Sequence, residues 1–234
     1  MRTFSVPNTH WHPELDYHAF CECAYENRGN FYDFVPQESG GLKISFGDVP
    51  STGDVQSINV PCLQALIRGL TGGSRDDLAG LARELNGTLY LLGSQDLCIP
   101  WFHARIDPVQ RQMHYVNAGH EPPLLVRGNG SIERLERTGA ALGLSTRGVH
   151  RQESTVIEPG DVLAIFSEAV SEKVVLDVVL HSPHAGSAEL TRRVLEDTYQ
   201  AVDDRTFAAV RVLGAYRHPL MEDSVTEGMV LCAA

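Results

Sequence analysis

At 234 residues and 43% hydrophobic content the chain carries enough apolar material for one large core, and it has no apolar stretch of membrane-spanning length. A formal charge of -11 at pH 7, without any cluster of Lys and Arg, argues against a nucleic-acid partner, because gripping a phosphate polymer relies on basic groups that release counterions. The same acidic balance suits a site that collects a cation.

Residues 1–16 hold Pro, Asn and His without period and read as an N-terminal arm. They lack the basic start and apolar centre of a secretory signal, so cytoplasmic residence is expected. His10-x-His12 reads as an exposed pair on this arm rather than as a metal site. Tyr17 to Tyr25 alternates as a strand, with Tyr17, Ala19, Cys21, Cys23 and Tyr25 on one face. The five cysteines follow no disulfide-framework or zinc-ribbon spacing, and reduced thiols are expected. Phe31 to Val35 and Leu42 to Phe46 read as strands joined by the polar turn Pro36 to Gly41, an antiparallel opening.

Past the turn Pro50 to Gly53, the residues Val55, Ile58, Cys62, Leu66 and Leu70 recur near helical spacing, with Pro61 set to kink or delay that helix. A second helix takes Ser74 as N-cap, Asp76 and Asp77 in its first turn, and the stripe Leu78, Leu81, Leu85, Leu89 and Leu92. Strands are then expected at Leu97 to Ile106, Gln112 to Asn117, Leu124 to Arg127 and Ser131 to Leu135, the last two joined at Asn129-Gly130. Arg151 to Ile157 and Asp161 to Phe166 flank the turn Glu158-Pro159-Gly160. A last helix, Ser187 to Ala201, is capped by Ser187 and precedes a final strand around Phe207 to Leu213. This order defines an α+β or layered αββα domain over residues 17–214, with 215–234 as a C-terminal extension.

Three apolar runs touch acidic residues: Gly41 to Phe46 leads into Gly47-Asp48, Val162 to Phe166 into Ser167-Glu168, and Asp203-Asp204 precedes Phe207 to Val212. On neighbouring strands their carboxylates gather at one spot, as an oxygen-ligand site for a hard divalent cation requires.

Five ordered motifs, Gly29-Asn30-Phe31-Tyr32-Asp33-Phe34, Gly47-Asp48-Val49, Asn117-Ala118-Gly119-His120-Glu121-Pro122-Pro123-Leu124-Leu125, Pro159-Gly160-Asp161-Val162-Leu163 and Asp203-Asp204-Arg205-Thr206, resemble the SpoIIE/RsbU-type branch of the PP2C (PPM) metal-dependent serine/threonine phosphatases, from about Tyr17 to Leu213. The resemblance implies a PP2C-like four-layer αββα sandwich of two antiparallel β-sheets flanked by helices. It also implies two Mn²⁺ or Mg²⁺ ions that activate a water for attack on a phosphoserine or phosphothreonine. Asp48 matches the carboxylate shared by both ions, the carbonyl of Val49 a neighbouring ligand, and Asp203 the late acidic ligand. Asp33, Asp204 and His120 are placed behind these ligands, with His120 as a turn histidine rather than a general acid. The implied partner is a phosphoprotein substrate, such as an anti-sigma-factor antagonist.

The motifs also depart from the family pattern. Asn30 stands where an aspartate is usual, Glu168 where the ligand is one methylene shorter, and Pro50-Ser51-Thr52-Gly53 replaces a glycine-rich turn. Three formal negatives remain instead of four, and Mg²⁺ tolerates displaced ligands badly, so one or both metal positions are expected to bind weakly. Two functions stay open: a metal-dependent phosphatase of reduced strength, and a pseudophosphatase that binds a partner without turnover.

Overall fold

A computed structural model describes residues 2–4, 13–23, 29–37, 40–49, 60–71, 76–92, 98–198 and 204–214. The candidate residues Ser74 and Asp203, the pair His10 and His12, the turn 50–53 and the extension 215–234 lie outside them.

Two antiparallel sheets stack face to face. The first follows the order β1 (Arg2–Phe4), β2 (Leu15–Cys23), β11 (Arg205–Val212), β10 (Val162–Phe166), β7 (Leu124–Val126), β8 (Ile132–Arg134). The second follows β3 (Gly29–Pro36), β4 (Leu42–Val49), β5 (Trp101–Asp107), β6 (Gln112–Ala118), β9 (Glu153–Val156). The arm is therefore partly structural, since β1 pairs with Cys21 to Cys23.

Strand alternation sorts the side chains into three apolar layers. Leu15, Tyr17, Ala19 and Cys21 of β2 meet Leu42, Ile44 and Phe46 of β4 between the sheets. Phe31, Trp101 and Val116 point the other way, under α1 (Val60–Thr71) and α2 (Leu78–Leu92). Phe166, Phe207 and Ala209 lie under α3 (Glu172–Leu180) and α4 (Ser187–Asp197) on the opposite flank. The αββα sandwich expected from the motifs is thus the architecture of the described residues.

Several local expectations shift. Pro61 sits in the first turn of α1, where its missing N–H costs nothing, and Leu63 and Ile67 are the buried contacts while Cys62 is exposed. Asp77 caps α2 by accepting the Gly80 N–H at 2.7 Å. Leu92 falls outside the stripe, 57% exposed at the helix end. Helix α3 was not anticipated from the sequence. The N-cap of α4 is Gly186 rather than Ser187, and Asp16 of β2 takes over the capping: its Oδ2 accepts the Ser187 N–H at 2.6 Å. Cys62 and Cys98 are free thiols, whereas Cys21 is disulfide-bonded, which corrects the reduced-thiol expectation there. Among the described residues no helix is long and apolar enough to cross a membrane.

Candidate functional site

The β3–β4 hairpin sets one side of the site. Because Tyr32 and Phe46 face the gap between the sheets, Asn30 and Asp48 lie on that same face, and the strand register pairs them directly. Gly47 lets Asp48 take this position. A Cβ at Gly47 would lie 2.8 Å from both Phe31 Cε1 and the Pro100 carbonyl oxygen, so only glycine lets β4 pass under the Phe31 ring. Immediately beyond, the Asp48 N–H donates to that Pro100 carbonyl at 3.2 Å, and Val49 is buried toward the helices.

The other sheet brings Ser167, Glu168 and Asp204 to the same end. Ser167 extends the β10–β11 ladder: its N–H donates to the Thr206 carbonyl at 3.0 Å and its Oγ accepts the Thr206 N–H at 3.0 Å. The same hydroxyl donates to the backbone carbonyl of Asp204 at 3.2 Å. Asn30 Nδ2 donates to that carbonyl from the opposite sheet at 3.1 Å. The Asp204 carboxylate rests on the backbone of Gly29 (φ +96°), where any Cβ would collide with Oδ2. Thr206 Oγ1 donates to Cys21 Sγ at 3.1 Å between β11 and β2. Glu168 follows Ser167 in an exposed turn.

Asn30, Asp48, Glu168 and Asp204 thus gather at one end of the sandwich. Asp33 does not. It lies on the helix-facing side of β3, 7% exposed, and accepts two hydrogen bonds of 2.6 Å from Nε and NH2 of Arg68 in α1. One odd step along a strand reverses the face, which separates Asp33 from Asn30. His120 is buried below the site, its ring edge-on to Phe46 at 5.2 Å. Its N–H donates to Asn117 Oδ1 at 2.9 Å and its Nδ1 bonds the Glu121 carbonyl at 2.6 Å. Burial pushes its pKa down to about 4, against the raising effect of the Glu121 carbonyl, so the ring is neutral at physiological pH.

The donors at this end are oxygens, the set a hard divalent cation takes. Among the described residues, however, no group of three or more His, Cys, Asp and Glu stands close enough to hold a metal. Ser167, Gly29 and Thr206 complete this end of the sandwich through their contacts with Asp204 and with one another. The Ser-Glu and Gly-Asn dipeptides marked their positions, but only the meeting of two sheets reveals that they share Asp204.

An antiparallel double sandwich flanked by helix pairs, with a Gly-Asp step ending β4 and an acidic residue entering β11 beside it, is the architecture of the PP2C class of phosphatases. Residues 41–213 match the family described as Stage II sporulation protein E (SpoIIE), and the chain belongs to that family. It is 26% identical over 161 residues to the phosphoserine phosphatase RsbU of Bacillus subtilis, covering 68% of this chain and 47% of RsbU. It spans less than half the length of the curated relatives it matches. The solved RsbU and RsbW domains of Rv1364c from Mycobacterium tuberculosis share the fold with a TM-score of 0.69 at 20% identity, over 87% of this chain and 62% of that one. RsbX, solved in complex with magnesium, superposes with a TM-score of 0.65 at 12% identity, over 90% of this chain and all of RsbX.

Proposed function

We propose that this protein is a divalent-metal-dependent phosphoprotein phosphatase that hydrolyses phosphoserine or phosphothreonine esters. The observation that carries this reading is the cross-strand pairing of Asn30 with Asp48 at the sandwich end where Ser167-Glu168 and Asp204 also arrive. Asp48, Asp203 and Glu168 are the proposed carboxylate donors, with the Val49 carbonyl beside them. Mn²⁺ or Mg²⁺, when bound, supplies Lewis acidity toward phosphoryl oxygens and a more acidic water. The chain's own contribution is to fix the carboxylates. Asp48 is held by its N–H on Pro100, and Asp204 is seated by hydrogen bonds to its carbonyl from both sheets. With three charged donors rather than four, binding is expected to be weak and activity to require excess metal.

The likeness to RsbU supports a phosphoprotein substrate in a cytoplasmic regulatory switch, in the class of an anti-sigma-factor antagonist. A second reading, a pseudophosphatase that binds such a partner without turnover, is favoured by one specific observation. The Asn30 amide is already committed to the Asp204 carbonyl, and it adds no charge to the site.

Hydrolysis of p-nitrophenyl phosphate with excess Mn²⁺ separates the two. The enzyme reading expects metal-dependent turnover that falls by about a hundredfold or more in Asp48→Asn, the scale of loss when reacting groups are misplaced. Equal, metal-independent rates in both proteins overturn it and leave the binding module.

A further inference from the structure

One oxygen at this site has two donors from opposite sheets. The backbone carbonyl of Asp204 accepts Asn30 Nδ2 from β3 at 3.1 Å and Ser167 Oγ from the end of β10 at 3.2 Å. A carbonyl has two lone pairs, so this acceptor is filled. The Ser167 hydroxyl is fixed in its donor role, because its own acceptor side takes the Thr206 N–H at 3.0 Å. One residue before Asn30, Gly29 carries the Asp204 carboxylate directly on its backbone. The chain entering β11 is therefore seated on β3 at two consecutive residues and locked from the other sheet by Ser167.

We infer that Asn30 is a positioning residue rather than a weakened metal ligand: with Ser167 it clamps the Asp204 carbonyl and so fixes Asp204, at the entry to β11, beside the Asn30–Asp48 strand pair. The clamp needs a donor at position 30. An ionised aspartate, the usual residue in relatives by resemblance, has no proton to give and sets oxygen against oxygen. The amide is thus a functional exchange, a carboxylate given up for a tie between the sheets. The link to catalysis rests on the phosphatase reading; the clamp itself does not.

The test uses thermal melts of the whole chain in EDTA. Asn30→Ala is expected to lower Tm by about 2–4 °C, the effect of one neutral hydrogen bond in a protein of this size. The double variant Asn30→Ala with Ser167→Ala is expected to fall further than the sum of the singles, because only it strips the carbonyl of both side-chain donors. Additive losses overturn the shared clamp.

Asn30→Asp gives an independent arm. Its carboxylate has no proton to give the Asp204 carbonyl, so at pH 7.5 the variant is expected to melt below Asn30→Ala, also in an Asp48→Asn background that removes repulsion from Asp48. Wild-type melting at pH 7.5, or a loss that vanishes with Asp48→Asn, overturns the inference. Mn²⁺ calorimetry reads the positioning. Asn30→Asp is expected to weaken binding by about tenfold although it adds a charge, a misplaced donor set losing more than the charge gains, and tighter binding overturns the role. If wild type binds no Mn²⁺, the phosphatase reading fails and the melts alone decide the clamp.

Discussion

Burial keeps both His103 and His120 uncharged. It pushes the pKa of His103 down to about 3, with Lys43 adding repulsion, and that of His120 down to about 4. His103 lies flat against Trp101 at 5.1 Å and shares a 2.8 Å hydrogen bond with Ser45, beneath α1 and α2. In the unfolded chain both rings take a proton near pH 6.5. The folded values are depressed, so the unfolded state binds more protons below that pH and stability falls as pH drops from about 6.5 toward 4. Urea titrations at pH 7.5 and pH 5 are expected to differ by a few kcal/mol in this direction, and a flat profile contradicts the burial argument. His120 also cannot give up a proton at neutral pH, which makes it an anchor of the Asn117 turn. The motif marked that turn in the sequence; the partner of Asn30 was hidden, because the acceptor of its amide lies 174 residues away.

Between elements, the clearest join is a seam at the sandwich edge. Asp161, at the start of β10 and 2% exposed, accepts from Arg127 NH1 at 2.8 Å, Gly128 N–H at 3.0 Å and Glu158 N–H at 2.9 Å. Arg127 also donates to Glu133 of β8, to Thr155 Oγ1 at 3.0 Å and to the Val156 carbonyl at 2.6 Å in β9, so one guanidinium spans both sheets. Asp161→Ala leaves the Gly128 and Glu158 amides without this acceptor, while Arg127 keeps Glu133. A loss of about 2–4 kcal/mol is expected, read as a lower urea midpoint with unchanged m. Asp16→Ala is milder, about 1 kcal/mol, because it removes the borrowed cap of α4. Both joins connect residues distant in sequence, so no local pattern announces them. Helix α3 escaped detection for a different reason. Four of its six apolar residues, Val174, Val175, Val178 and Val179, are β-branched and suit strands, and its burial comes from packing on the sheet.

For the molecule as a whole, alternation and turn chemistry made the two-sheet sandwich readable, because each strand pairs within one sheet and faces one core. They could not reveal which strands are neighbours. β2 and β11 pair along eight residues, from Leu15 with Val212 to Glu22 with Arg205, joining the two ends of the domain. Ordering so long a loop before any contact rewards it makes this the slow step of folding, on a scale of roughly milliseconds to seconds. A chain ending at residue 203 is expected to lose cooperative unfolding, and stopped-flow refolding of the full chain to show its main phase in that slow range. During synthesis, at roughly 5–20 residues per second, Asp48 is made roughly 8 to 30 seconds before Asp204. The proposed site is therefore completed only late in synthesis, and a nascent chain lacks it until the strand that fills the middle of the first sheet has been delivered.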